Sequence, residues 1–126
     1  SNANDLAKIM QLYLNKGNYG GKQFFSNQVI EEFTKCHFCD QENRRGIGFD
    51  KPALESQEGG PTCKCVSAES FGHTGFTGTL AWADPDTDII YIFLSNRIHP
   101  DATNKKLLDM DVRTNIMEQI FKYNER

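Results

Sequence analysis

Three features that mark whole classes of protein are missing from this sequence of 126 residues. Positive charge is not in excess, because 14 Lys and Arg stand against 17 Asp and Glu, and no basic stripe runs along any segment. No apolar run is long enough for a bilayer, since the longest covers only residues 89–94. Internal repeats and low-complexity tracts are absent as well. We therefore expect neither a nucleic-acid partner nor a membrane span.

The composition is typical of a folded domain with one core. Apolar residues make up 38% of the chain and charged residues 25%, which is ordinary for a globular protein, and the length favours one domain. No signal peptide is visible, and Ser1-Asn2-Ala3 resembles the scar of a cleaved tag. We therefore interpret residues 1–3 as a tag remnant and residues 4–126 as one segment of a longer chain.

Apolar residues at helical spacing predict three helices. Asn4 is placed to cap the first, and Ser26 is placed to cap a short second helix. A third helix is expected to begin near Asp111. Between the second helix and the strands, residues 35–70 are polar and rich in turns, and only residues 46–49 look like a strand. Most of this stretch is predicted to be surface loop, which at such length is often functional.

Strands are expected in the second half of the chain, at residues 71–75, 79–83 and 89–95. Residues 84–88, Asp-Pro-Asp-Thr-Asp, have the composition of a hairpin turn. The last strand is apolar on both faces, which predicts that both faces are covered. The predicted fold class is therefore α/β of the α+β type: an antiparallel sheet, with N-terminal helices before it and a C-terminal helix packed on it.

The most distinctive segment is residues 71–82, FGHTGFTGTLAW, with three glycines, three threonines and one histidine. With Leu94-Ser95-Asn96 and the closing helix, it resembles the C-terminal part of the serine β-lactamase and penicillin-binding-protein-like family. Class C β-lactamases, D-alanyl-D-alanine carboxypeptidases and related esterases belong to that family. The segments Asp5-Leu6-Ala7-Lys8 and Tyr19-Gly20-Gly21-Lys22 fit the same region, so the resemblance runs from Asn4 onward. It implies a partial β-lactamase/transpeptidase-like fold.

The resemblance also implies roles for His73-Thr74-Gly75 in one wall of an acylation site. His73, as a cation or donor, would lie near the substrate carboxylate and the proton-transfer groups, and the Thr74 hydroxyl would bond that carboxylate. Gly75 would let the substrate backbone lie against the strand edge. The N–H of Phe76 would be one of two oxyanion-hole donors. The alternative is that His73 is a structural residue of the strand.

The nucleophile of that family is missing from this sequence. A Ser-x-x-Lys motif puts the lysine one helical turn from the serine, where it can take the proton. The third residue after each of the six serines is Asn, Val, Gly, Ser, His or Ile. Tyr13-Leu14-Asn15 is a literal match to the family's Tyr-x-Asn motif, but Tyr13 belongs to the apolar stripe of the first helix. We therefore expect a C-terminal fragment of a serine hydrolase, inactive alone, whose parent hydrolyses a peptidoglycan-like amide, a β-lactam or an ester.

Other interpretations use the same residues differently. A binding or assembly module derived from this fold, without catalysis, is the alternative function. Ser70 and His73 do not predict a triad, because residues three apart on a strand point to opposite faces. The aspartates of residues 84–88 lack the glycine and distant glutamate of a calcium loop. Arg44-Arg45 is predicted to be a solvated pair, although the resemblance puts this loop beside the cleft.

The four cysteines lie in the long loop, as Cys36-x2-Cys39 and Cys63-x-Cys65. Four thiolates can form a tetrahedral zinc site, although one intervening residue is tight for the second pair. In an exported protein the same cysteines would form disulfides that tie the loop, and free thiols are a third possibility. The resemblance implies the cell envelope or periplasm. We therefore favour disulfides and no cofactor, with zinc as the weaker alternative.

Two partners follow from the resemblance. The missing N-terminal part of the parent domain would supply the nucleophile and further strands beyond residues 89–95. Without those strands, this segment is an apolar, proline-free edge with unpaired backbone groups, which is a template for another chain. We therefore expect a homodimer through residues 89–95.

Overall fold

Along the chain, helices precede and follow the strands of a three-stranded sheet, in the predicted order. The structure is a computed structural model and describes residues 1–124. Its elements are α1 Ala3–Leu14, β1 Asn18–Tyr19, β2 Lys22–Gln23, α2 Asn27–Thr34, a 3₁₀ turn Cys39–Gln41, β3 Phe71–Thr74, β4 Leu80–Asp84, β5 Ile89–Phe93, α3 Lys106–Asp109 and α4 Val112–Asn124. None of the helices within these residues is long and apolar enough to cross a membrane.

Helix α1 is capped by Asn2, so the prediction that Asn4 caps it was wrong. The Asn2 side-chain oxygen accepts the N–H of Asp5 at 3.0 Å, and the Asn2 amide donates to the Asp5 carboxylate at 2.8 Å. This reciprocal pair is a variant of the capping box, in which the carboxylate three residues after the cap bonds the side chain of the cap residue instead of its backbone N–H. The residue three positions after Asn4 is Ala7, whose side chain cannot form a hydrogen bond with a cap residue.

The second helix and the turn before it agree with the sequence. The hydroxyl of Ser26 accepts the N–H of Val29 at 3.3 Å, so Ser26 caps α2 as predicted. Gly20 and Gly21 join β1 to β2, and both have positive φ, at 59° and 79°. Such angles cost glycine little, which explains the Gly-Gly pair at this point.

The main sheet is antiparallel, in the order β3-β4-β5. Phe71 pairs with Ala83, and Leu80 pairs with Phe93. The strands agree with the predicted ones to within two residues, and residues 85–88 form the turn between β4 and β5. The α+β fold class is confirmed.

Both faces of the sheet are covered, as the apolar last strand predicted. On one face, Met10 of α1 packs against Phe71 and Ala83, with Ile90 and Ile92 of β5 beside them. On the other face lies a cluster from α4, from the strands and from the long loop: Cys63, Leu80, Trp82, Tyr91, Met117 and Phe121. The sheet is therefore the middle layer of three.

The long loop is more firmly held than a surface loop, which corrects part of the prediction. Asp84 is fully buried and accepts the N–H of Ser67 at 2.8 Å and the hydroxyl of Ser67 at 2.7 Å. Lys51 is buried and donates to the carbonyl of Glu69 at 2.8 Å. Burial lowers the pKa of Lys51, while the carboxylates of Glu69 and Asp84 act against that shift. The loop is thus anchored to β4 through buried polar groups.

The four cysteines form two local disulfides, Cys36–Cys39 and Cys63–Cys65. Their Cα atoms are 5.7 Å and 5.2 Å apart, within the usual range for a disulfide. The favoured disulfide pairing is thus the one in the structure, and within it the four cysteine sulfurs are not free to bind zinc. Within residues 1–124 there is also no group of three or more His, Cys, Asp or Glu arranged to hold a metal ion.

Candidate active site

The predicted wall residues lie at an uncovered edge of β3. One edge of β3 pairs with β4, and on the other edge Gly72 exchanges backbone hydrogen bonds with Asp50, at 2.7 Å and 3.1 Å. Because backbone groups alternate along a strand, the N–H and C=O of Thr74 face the same way as those of Gly72. Beyond Asp50, no strand within residues 1–124 covers this edge. An extended ligand therefore has room to lie beside Thr74.

The turn after β3 presents a free backbone donor. The N–H of Gly75 donates to the carbonyl of Thr79 at 2.8 Å, and the N–H of Gly78 donates to the carbonyl of Gly75 at 2.9 Å. Gly78 has a φ of 92°, which favours glycine. Phe76 lies inside this turn, and its N–H has no acceptor among residues 1–124. The donor that the resemblance implies is thus available to a ligand.

The turn is held from two sides. From the end of β5, the hydroxyl of Ser95 and the N–H of Arg97 both donate to the carbonyl of Thr77, at 3.0 Å and 2.9 Å. The Arg97 guanidinium also lies 4.9 Å from the centre of the Phe76 ring, a cation–π distance. Ser95, directly after the last strand, thus helps to hold the turn. Sequence reasoning missed Arg97, since nothing local ties it to residue 76.

Helix α4 supports the same turn from below. Arg113 donates to the carbonyls of Gly78 and Thr79, both at 3.2 Å, and its own carbonyl accepts the Tyr91 hydroxyl at 3.1 Å. Burial lowers the pKa of Arg113 and raises that of Tyr91. The guanidinium thus fixes the backbone next to the free donor of Phe76.

Gly72 and Gly75, the glycines on either side of His73-Thr74, have no space for a side chain. A Cβ on Gly72 would collide with the carbonyl oxygen of Ala81 and the ring of Trp82, and a Cβ on Gly75 would collide with the hydroxyl of Thr79. The resemblance gives Gly75 a role in substrate approach. The structure adds a packing reason for the same residue.

His73 is exposed and does not stand alone. Its Nε2 atom lies 3.0 Å from Nη1 of Arg45, and its Nδ1 atom lies 2.7 Å from the carbonyl oxygen of Thr74. Arg45 in turn forms an ion pair with Asp50, with Nε to Oδ1 at 2.7 Å. Sequence reasoning missed this chain of contacts, because 28 residues separate Arg45 from His73.

Arg44 and Arg45 are partly solvated, as predicted, with side chains 29% and 49% exposed, but both also lie beside the carboxylate of Asp50, which was not predicted. Asp50 is 1% exposed, and a buried carboxylate needs a positive partner. Arg45 supplies it at 2.7 Å, and Arg44 approaches the other oxygen to 4.0 Å. Residues 46–49, predicted to be strand-like, instead form the turn of a small hairpin in which Arg45 pairs with Asp50. That turn brings the two arginines to the wall.

Ser70 and Tyr13, which the sequence did not favour as catalytic residues, have structural roles. The hydroxyl of Ser70 is buried and donates to the carbonyl of Ser67 at 2.7 Å. The ring of Tyr13 lies 4.9 Å from the ring of Phe49, inside the packing beneath α1. Neither is placed to act as a nucleophile or as part of a Tyr-x-Asn motif. Thr74, in contrast, is partly exposed, and its hydroxyl forms no hydrogen bond within residues 1–124.

The fold has a counterpart among solved structures. The crystal structure of a β-lactamase from Mycobacterium bovis superposes with a TM-score of 0.74 at 22% sequence identity. The match covers 98% of this chain and 44% of that chain. The architecture is therefore that of part of a β-lactamase-like domain, as the sequence predicted.

The sequence comparisons agree. The family model described as Beta-lactamase matches residues 1–113. Two proteins named provisionally as D-alanyl-D-alanine carboxypeptidases match over 108 residues, at 33% identity in Salmonella typhi and 32% in Salmonella enteritidis PT4. Each match covers 85% of this chain and 24% of the relative. The chain belongs to the β-lactamase family, and it spans about a quarter of the length of these relatives.

Proposed function

We propose that this chain is the C-terminal segment of a β-lactamase-related serine hydrolase and forms one wall of its acylation site. The observation that carries the proposal is the free N–H of Phe76, held in a fixed turn directly after His73-Thr74-Gly75 on an open strand edge. A donor that needs no rearrangement can stabilise the oxyanion of an acyl-transfer transition state. The free hydroxyl of Thr74 can bond a substrate carboxylate beside it.

The parent would hydrolyse a peptidoglycan-like amide, a β-lactam or an ester. Its N-terminal part is the proposed partner of this chain and would supply the Ser-x-x-Lys nucleophile that the six serines here do not provide. We propose residues 4–126 as the segment of that domain, with residues 1–3 as a tag remnant. A place in the periplasm or cell envelope is consistent with two disulfides, which form and persist in oxidising compartments.

The chain alone is expected to show no acyl-transfer chemistry. It should neither hydrolyse a chromogenic cephalosporin nor retain a fluorescent penicillin covalently, because no serine has a lysine three residues on. The full-length gene product, assayed in parallel, should do at least one of the two or cleave an ester or a D-alanyl peptide. Covalent labelling traced by peptide mass to a serine of this chain would contradict the expectation.

A binding or assembly module without catalysis remains the second candidate, and the absent nucleophile motif is what favours it. The upstream reading frame separates the two functions. A Ser-x-x-Lys motif upstream supports the hydrolase. A full-length product that lacks the motif and binds peptidoglycan fragments without turnover supports the module.

We also propose that the chain forms a homodimer through the segment 89–95. The pairing pattern places the backbone groups of Ile90 and Ile92 on the outer edge of β5, which no strand within residues 1–124 covers. Ile92 itself packs beneath α1, so a charge there would disrupt the core. Leu94 is 44% exposed and is the better probe.

Leu94→Lys is expected to shift the dimer toward monomer, because a lysine at a strand edge opposes edge-to-edge pairing. Light scattering coupled to size exclusion measures the effect. Leu108→Lys is the matched control, since Leu108 is 39% exposed but lies on α3. A wild-type chain that stays monomeric at high micromolar concentration would contradict the dimer.

A further inference from the structure

Both ring nitrogens of His73 are engaged, and their partners define the state of the ring. The Nδ1 atom lies 2.7 Å from the carbonyl oxygen of Thr74, which can only accept, so this contact is a hydrogen bond only when Nδ1 carries a proton. The Nε2 atom lies 3.0 Å from Nη1 of Arg45, which can only donate, so this contact is a hydrogen bond only when Nε2 presents a lone pair. A ring with one protonated and one unprotonated nitrogen is neutral.

The arginine that sets this state is itself fixed. Its Nε atom forms an ion pair with the buried carboxylate of Asp50 at 2.7 Å. The backbone of Asp50 is bonded on both sides to Gly72, the residue before the histidine. Guanidinium and imidazole are thus tied to the same stretch of β3. If Nε2 carried a proton, its N–H would point at the N–H groups of the Arg45 guanidinium, and neither group could accept a hydrogen bond from the other.

We propose that Arg45 is a positioning residue that holds the neutral imidazole of His73 in the tautomer with its proton on Nδ1. The positive charge at this wall is then that of Arg45, and His73 accepts a hydrogen bond from Arg45 rather than adding a second cation. This narrows the role that the family resemblance implies for His73. The catalytic meaning of the pair rests on the proposed function, but the state of the ring does not.

The test is nitrogen NMR of the histidine rings in the whole chain, with His73→Gln used to assign the His73 signals among three histidines. Spectra are recorded at about pH 8.5, well above the ordinary imidazole pKa of about 6.5, so that an unrestrained ring is also neutral. We expect a protonated Nδ1 and an unprotonated, hydrogen-bonded Nε2. A wild-type ring with its proton on Nε2 would overturn the proposal without any variant.

Arg45→Met should then move the Nε2 signal toward that of an unprotonated nitrogen without a donor. Arg44→Met is the matched control: it removes the same charge 4.0 Å from the same carboxylate, but Arg44 does not contact His73. An equal change in both variants, or in neither, would overturn the role of Arg45. Should the methionine variant unfold, Arg45→Lys keeps a positive charge for Asp50. Arginine uses Nε for Asp50 and Nη1 for His73, whereas lysine has one nitrogen, so a lysine paired with Asp50 should likewise leave Nε2 without a donor.

These readouts separate the two proposals. They need no substrate and no nucleophile. An inactive full-length protein with a locked His73 ring would refute the hydrolase function and leave the positioning role intact. An active one with Nε2 protonated would do the reverse.

Discussion

Asp84→Ala is expected to destabilise the chain by about 3 kcal/mol, because a buried donor that loses its acceptor costs about 1–3 kcal/mol and this carboxylate accepts from more than one donor. The Asp84 carboxylate is fully buried and accepts three hydrogen bonds: from the N–H of Ser67, from the hydroxyl of Ser67 and from the N–H of Asp86. It joins the long loop to β4. Urea denaturation followed by tryptophan fluorescence measures the loss, since Trp82 lies in the same strand.

The matched control is Asp86→Ala. Asp86 is exposed, lies in the same turn and uses only its backbone in the network, so a change within about 0.5 kcal/mol is expected. Equal effects of the two substitutions would show that the carboxylate of Asp84 does not anchor the loop.

The pH dependence of the same variant gives a second check through Lys51. Burial lowers the pKa of Lys51 from its ordinary 10.5, and Asp84 is one of two carboxylates that oppose this shift. Without Asp84 the pKa of Lys51 should fall further. The unfolded chain then binds more protons than the folded one just below pH 10.5, so stability rises with pH. The deficit of Asp84→Ala relative to wild type should therefore shrink at about pH 9.5 compared with pH 7.

The sequence was sufficient where the information was local. The Ser26 cap, the Gly20-Gly21 turn and the three strands depend on residues within a few positions of one another, and the structure agrees with them. The Asn4 cap failed for an equally local reason. Two asparagines offered the same oxygen, and only Asn2 has a carboxylate at the third position of the helix.

The sequence was insufficient where two distant segments meet. Asp84 was predicted to be a turn residue, and it does bond the N–H of Asp86, but its contacts with Ser67 span 17 residues. Arg45 is exposed, as predicted, but its contacts with Asp50 and His73 were not predicted. Composition and spacing carry no record of such contacts. They depend on which hairpin lies beside which strand edge.

Phe76→Pro is expected to lower the turnover of the full-length enzyme by about 10²–10³, the usual cost of losing an oxyanion-hole donor. Proline removes the Phe76 ring and the N–H, and because this N–H has no partner among residues 1–124, no hydrogen bond of the described structure breaks. Phe76 occupies the second position of the turn closed between Gly75 and Gly78, where proline is well tolerated.

Phe76→Ala is the control that separates the loss of the N–H from the loss of the ring. Both variants lose the ring that stacks on Arg97, but alanine keeps the N–H. Because the bond to the oxyanion forms only in the transition state, proline should lower kcat and kcat/KM together, while alanine stays within a few-fold of wild type. Unfolding curves should show the two variants to be similarly stable. If proline and alanine variants turn over substrate at the same rate, the N–H of Phe76 is not an oxyanion donor, and the wall formed by His73-Thr74-Gly75 must act on substrate through its side chains alone.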